Sequence, residues 1–291
     1  MTSASLSARP AQLRPSPVRR LSRVTVTSVI TWFAGGCFVL LALAVLGSVA
    51  ITSFATSWRA GWWPDAFTTR WYGQAWNDTG ISKSLFVTFE VSVAVVLIAL
   101  AAGVPAGYVL ARKKFPGKST LMLIMLLPII LPTMTYAVQL AAMMYRIGLG
   151  GSLAAVILVN LVPALPLVVL ITVPFVEQIS PEVENAAKVF GASSLRLFTR
   201  VLLPLLAPGV VAAGILCLVR VLGSFELTFF VSNSRTQTLV VTIFGALSDP
   251  GGVPAPLAAA MTVFYMIIAL IGLVIAFRFS NPADALSRRG R

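Results

Sequence analysis

Six apolar runs, each long enough to cross a bilayer, constrain this chain more than anything else in it. They occupy residues 26–54, 85–110, 121–145, 153–176, 207–231 and 257–277. A helix needs about 20 predominantly apolar residues to cross a hydrocarbon core of about 30 Å. Inside a bilayer no water meets the backbone, so a spanning segment must satisfy its own N–H and C=O groups. Runs of this length and continuous apolarity do so as helices. Of the 291 residues, 58% are apolar and 11% charged, where soluble domains carry about 25% charged residues. The expectation is an all-α membrane protein with six transmembrane helices.

The net charge of +13 would suit a nucleic-acid partner if it were gathered on one soluble face. It is not: the Lys and Arg residues flank the apolar runs, which is the signal that orients a membrane protein. With the N-terminus inside, sixteen fall on the cytoplasmic side. These are Arg9, Arg14, Arg19, Arg20 and Arg23; Arg112, Lys113, Lys114 and Lys118; Lys188, Arg196 and Arg200; and Arg278, Arg288, Arg289 and Arg291. Five (Arg59, Arg70, Lys83, Arg146 and Arg235) fall outside, and Arg220 lies within the fifth run. The bias places both termini in the cytoplasm of a multi-pass plasma (cell inner) membrane protein, with lipid and not nucleic acid as its surroundings.

The domain plan follows. Residues 1–24 are a Pro/Ser-rich, basic, disordered cytoplasmic segment. The Arg19-Arg20 pair does not start a cleaved signal, because the apolar run behind it far exceeds a signal-peptide core of about 7–15 residues. Residues 25–83 hold the first span and an outer loop. Residues 84–278 form the core, and 279–291 a cytoplasmic tail. Five of the six tryptophans (Trp58, Trp62, Trp63, Trp71 and Trp76) lie in the outer loop, where an interfacial belt accounts for them. The chain has no histidine, and Cys37 and Cys217 both sit in apolar runs. A metal centre, a cofactor and an enzyme's nucleophile–base pair are therefore not expected.

Within the spans, Pro128, Pro132, Pro163, Pro166 and Pro174 predict bends. Gly103 and Gly107 read as a small-residue face for close helix packing. Glu90, Arg220 and Glu226 are the intramembrane charges. Each costs about 2.5–3.5 kcal/mol at mid-bilayer unless it faces protein or water, so each is a candidate for a solute pathway. Glu90, about 8 Å below the outer boundary at 1.5 Å per residue, and Glu226, also near the outer end of its span, could accept a cation together. Arg220 and Glu226 are six residues apart and do not share a face on an ideal helix, though Gly223 between them could bend it. Residues 238–247 read as a short interfacial or re-entrant helix ahead of a turn at Asp249-Pro250-Gly251-Gly252.

The long polar break between the fourth and fifth runs is Pro181 to Pro204. Glu182 and Glu184 fall in the first turn of a helix, where its dipole favours anions. Gly191 can take the left-handed conformation that ends that helix, and Ser193 or Ser194 can cap a second one. Within the break, Asn185-Ala186-Ala187 is followed after three residues by Gly191, and after nine more by Val201-Leu202-Leu203-Pro204. This spacing resembles the coupling loop of ABC importer permeases, Glu-Ala-Ala, three residues, Gly, nine residues, Ile-x-Leu-Pro. Asn185 departs from the family's Glu, with Glu184 one residue earlier, and Val201 replaces Ile. The span entry Leu85-Phe86-Val87-Thr88, the basic loop ending Lys113-Lys114-Phe115-Pro116-Gly117, and Phe225-Glu226-Leu227 also look like that family.

The resemblance implies the type I ABC importer permease fold. It implies a pathway formed with a second, different permease subunit, separate ATP-binding cassette subunits that hydrolyse ATP, and an extracytoplasmic solute-binding protein. On that reading Glu184, Asn185, Ala186, Ala187, Gly191 and Pro204 serve ATPase coupling, and Glu226, Glu90 and Arg220 the substrate pathway. The overall look is nearest to spermidine/putrescine-type permeases, which points to a polyamine. Sugars, iron and phosphonates are the alternative cargoes, and a secondary transporter is the alternative class.

Overall fold

The computed structural model describes residues 23–58, 61, 63–248 and 252–279. The expectations for residues 1–22, Trp62, the turn at 249–251 and the tail beyond 279 lie outside the described residues. In chain order the helices are α1 (Arg23–Phe54), α2 (Arg70–Asp78), α3 (Ile81–Arg112), α4 (Lys118–Ile130), α5 (Thr133–Arg146), α6 (Leu153–Glu177), α7 (Pro181–Val189), α8 (Ser194–Leu197), α9 (Leu203–Leu222), α10 (Glu226–Val231), α11 (Leu239–Ser248) and α12 (Ala255–Phe279). A π-helical turn, Phe198–Leu202, joins α8 to α9. Among the described residues, five stretches are long and apolar enough to cross a membrane, and six if α4 and α5 together count as one broken span.

The chain falls into two compact units, Met1–Ser48 and Val49–Arg291. Of the first, the described part is the body of α1, whose large side chains Trp32, Phe33, Phe38 and Leu40 are all exposed. The second holds everything else.

Two expected spans are broken. The run 121–145 is not one helix: α4 and α5 meet at 98°. The residue before a proline is pushed out of the helical region. Leu131, at φ −68°, ψ 140°, is already extended ahead of Pro132. The run 207–231 also divides, with α9 ending at Leu222 and α10 starting at Glu226. Gly223-Ser224 supplies two weak helix formers at the break. By contrast α6 stays one helix through Pro163, Pro166 and Pro174. The π turn precedes Pro204 and Pro208, whose missing N–H groups leave the carbonyls four residues back without their usual partners.

The second unit's core is the α3–α6 pair, with Val91, Val95 and Ala99 buried against Val156, Val159 and Val168. Gly103 and Gly107 seat it. A Cβ at Gly103 would stand 2.7 Å from Val168 Cγ1, and one at Gly107 2.8 Å from Thr172 Cβ, so the packing role read from sequence is the observed one. A second cluster joins Trp71, Ile81, Leu239 and Met261. Trp71 is thus not a belt residue: it is buried, and its Nε1 donates to the Ala55 carbonyl at 2.7 Å. The short helix expected at 238–247 is α11, tied to α3 where the Thr88 hydroxyl accepts from Leu239 N at 2.8 Å.

Candidate functional site: a clamped loop and an intramembrane pocket

The loop begins as its residues dictate. Ser180 caps α7, its hydroxyl accepting from Glu182 N at 3.3 Å, and Pro181 takes the first helical position, where a missing N–H costs little. Gly191 ends the helix at φ +78°, a conformation that a side chain would strain. Ser193 caps α8 by accepting from Arg196 N at 3.4 Å. Beneath the loop, Val176, Leu197, Leu202 and Leu206 form a buried cluster on which Ala187 and Phe198 rest.

The two sides of α7 differ. Inward, Glu184 is 6% exposed, and both its carboxylate oxygens are used within the chain. Arg112 Nε at the end of α3 donates to Oε1 at 2.6 Å, and the Tyr108 hydroxyl donates to Oε2 at 2.8 Å. The same guanidinium donates through Nη2 to the Ile179 carbonyl, at 2.6 Å, just past α6. The Tyr108 ring packs edge-on against Phe198 of the π turn, centroids 5.8 Å apart. One carboxylate and one guanidinium therefore bind α3, the end of α6 and α7 into a single node. Outward, Asn185 and Ala186 are exposed, and beside them Val189 and Phe190 are 84% and 89% exposed. Pro204, the second residue of α9, is exposed too.

Arg112, Tyr108 and Ser180 were not singled out by the sequence reading. Arg112 reads there as one of several basic residues after a span. The available signal was that a buried carboxylate needs a cation, and Arg112 is the first one past the apolar run of α3.

The second site lies where the helices break. A cavity of about 80 Å³ is lined by Thr133, Asn160, Arg220, Ser224 and Glu226, with Pro163 and Gly223 beside them. In a like measure one water takes about 10–15 Å³, so the cavity holds several. The break at Gly223 brings Arg220 and Glu226 to the same pocket, which an unbroken helix would not do. They form no ion pair. Arg220 makes no hydrogen bond among the described residues, and its Nε is buried without a partner. Asn160 is 2% exposed and spends its amide N–H groups on the Val156 carbonyl at 2.8 Å and Thr228 Oγ1 at 3.3 Å. Glu90 is elsewhere, on an exposed face of α3 with Phe86 and Phe89, and so does not join Glu226. Asn160 is the only amide within the 153–176 run, and a polar residue in so apolar a span was the signal for the pocket.

Among the described residues no cluster of His, Cys, Asp and Glu could hold a metal ion.

A loop of this spacing on a helical membrane core defines a class, and comparison with known proteins gives the same one. The family model "Binding-protein-dependent transport system inner membrane component" matches residues 103–283. The sulfoquinovosyl glycerol transport system permease protein SmoH of Agrobacterium fabrum is 32% identical over 79% of this chain and 81% of its own length. The molybdenum transport system permease protein ModB of Haemophilus influenzae is 32% identical over 67% of this chain and 91% of its own. In fold the chain resembles a bacterial ABC transporter involved in the import of the acidic polysaccharide alginate, with a TM-score of 0.71 and 18% identity over 88% of this chain and 98% of that one. The protein belongs to the binding-protein-dependent transport inner-membrane family and is a permease subunit of an ABC importer.

Proposed function

We propose that the loop from Pro181 to Pro204 is the cytoplasmic lever through which an ATP-binding cassette subunit moves this permease, and that the Arg220–Glu226 pocket lies on the solute's route. The two-sidedness of α7 carries this reading. Its outer side offers a small surface, Asn185 and Ala186, flanked by exposed Val189 and Phe190, apolar side chains that a partner's cleft would cover. Its inner side is bolted by Glu184 to Arg112 and Tyr108. A pull on α7 would therefore pass directly to the ends of α3 and α6, where a loosely packed loop would absorb it. Glu184 serves as the bolt and not as a replacement for the family's Glu at 185. Asn185 is left to meet the partner by hydrogen bonds alone.

In this mechanism ATP binding closes the partner ATPases, draws the loops of two permease subunits together and opens the pathway outward, and hydrolysis resets it. An extracytoplasmic binding protein delivers the solute. The second permease subunit, a different chain, completes the pathway. Glu90, on its exposed apolar face, is a residue for that subunit to cover.

The solute is better read as a small polar molecule other than a polyamine. The polyamine expectation came from an overall likeness, with weak support from Glu90 and Glu226 near the outer mouth, and Glu226 instead shares its pocket with Arg220. The two relatives are permeases for sulfoquinovosyl glycerol and molybdenum.

The test is co-purification in mild detergent. Wild-type protein is expected to bring down an ATPase subunit. Ala186→Asp, Phe190→Asp and Gly191→Asp are expected to lose it while reaching the membrane in near-normal amounts. Retention of the ATPase in all three would overturn the assignment.

A further inference from the structure

Two separate breaks in regular helix converge on the Arg220 pocket, and a proline from an unbroken helix lines it beside them. Thr133 is the first residue after the Pro132 break, Gly223 and Ser224 form the α9–α10 break, and Pro163 lies within α6. Non-helical backbone at membrane depth is tolerated only where protein buries it or where it lines an aqueous cavity. The cavity here is polar, and it contains an arginine whose Nε has no acceptor. A buried donor without an acceptor is costly, so the site calls for a ligand or water to complete it.

The groups present specify what that ligand must do. Arg220 offers only donors. The Glu226 carboxylate offers acceptors. Asn160 has spent its N–H groups inside the protein, which leaves its carbonyl oxygen, again an acceptor. The hydroxyls of Thr133 and Ser224 can do either. One positive and one negative charge leave the lining electrically balanced. A polyamine carries donors and positive charge and would face Arg220. A doubly charged oxyanion carries acceptors and would face Glu226 and the Asn160 carbonyl. A hydroxyl group both donates and accepts, and several on adjacent carbons could satisfy Arg220, Glu226 and Asn160 together.

From this we infer that the pocket is a subsite for a polyhydroxylated solute, a saccharide or sugar acid, held by Arg220, Glu226 and Asn160 together. The inference rests on the reading of this pocket as part of the solute's route. It would make the permease itself, and not only its binding protein, selective for cargo.

The test is saturation-transfer NMR on the full-length protein, purified with its partner subunits and held in lipid nanodiscs. Glucose, trehalose and glucuronate serve as hydroxylated probes, methionine as a zwitterion and spermidine as a polyamine, with sulfate as a competitor. At least one hydroxylated probe is expected to bind, with affinity falling about tenfold in Arg220→Met and Glu226→Gln and about fivefold in Ser224→Ala, the losses appropriate to charged and neutral hydrogen bonds. Glu226→Gln and Ser224→Ala are nearly isosteric, so their reading survives if Arg220→Met fails to fold. Binding of methionine or spermidine alone, or displacement of the sugar by sulfate, would overturn the solute class. Equal signals in wild type and variants, or none from any probe, would overturn the subsite.

Discussion

Arg112 and Arg220 each share a site with a carboxylate, and they are handled in opposite ways. Arg112 is consumed: it bonds Glu184 and the Ile179 carbonyl at 2.6 Å each, and Tyr108 takes the carboxylate's other oxygen. Arg220 shares a pocket with Glu226, yet its side chain makes no hydrogen bond among the described residues and its Nε stays unmatched. The difference follows from local backbone. Glu184 is fixed by a capped helix whose Ala187 rests on the Val176–Leu206 cluster, so its carboxylate is delivered to a set place. Glu226 begins a short helix after a break and lines the same cavity as a cation on a separate helix. A completed pair resists change and suits a lever. An incomplete one has interactions still to make and suits a site that receives something.

The comparison is broken most directly at the clamp. Removing one partner of a buried pair leaves the other uncompensated, at about 3–5 kcal/mol. Glu184→Ala and Arg112→Ala should therefore lower stability by about that much, read as a large fall in thermal unfolding temperature in detergent. The double variant Glu184→Leu/Arg112→Met should recover much of the loss, since an apolar replacement strands no charge. It should still couple ATP hydrolysis to transport poorly if the node transmits motion. Full coupling in a stable double variant would show that the clamp only holds the loop up.

A smaller effect is expected where α3 meets α6. Val168 side-chain atoms lie within 3 Å of where a Cβ would stand at Gly103. Gly103→Leu overpacks this contact at about 1–3 kcal/mol, visible as reduced unfolding temperature and yield. Gly191→Ala comes next. Nothing lies within 4 Å of its added Cβ, so the cost is the left-handed backbone alone, about 1–2 kcal/mol. Comparing the two separates crowding from conformational strain. If Gly191→Ala cost more than Gly103→Leu, the packing account of the core would need revision.

Much of this architecture was legible in the chain. The spans at 153–176 and 257–277 match α6 and α12 closely because continuous apolarity determines them. Gly191 ended its helix, and Ser193 capped the next, as local chemistry requires. The breaks were less legible, because proline acts through context. Pro132 ends a helix, whereas Pro163, Pro166 and Pro174 lie inside one that the surrounding core holds together. Trp71 looked interfacial by composition and proved to be core, since its Nε1 finds a carbonyl from a distant stretch. The pairing of Glu184 with Arg112 spans 72 positions, and no local pattern reports such a distance.

The smallest stability effect is the most informative about the contrast. Arg220→Met removes a cation that has no partner among the described residues, and methionine is an unbranched chain that adapts to irregular space. Nothing is left unpaired by the change, because Glu226 can stay hydrated by the several waters the cavity holds. The expected change in folding stability is therefore within about 0.5 kcal/mol of zero, while solute uptake falls sharply. Arg112→Met, the same substitution at the other arginine, strands Glu184 and should cost several times more. The two variants, unfolded side by side under identical conditions, test whether one arginine belongs to the structure and the other to the cargo. Equal losses would mean that Arg220 is a structural pair completed by water, and the pocket would lose its claim to a ligand.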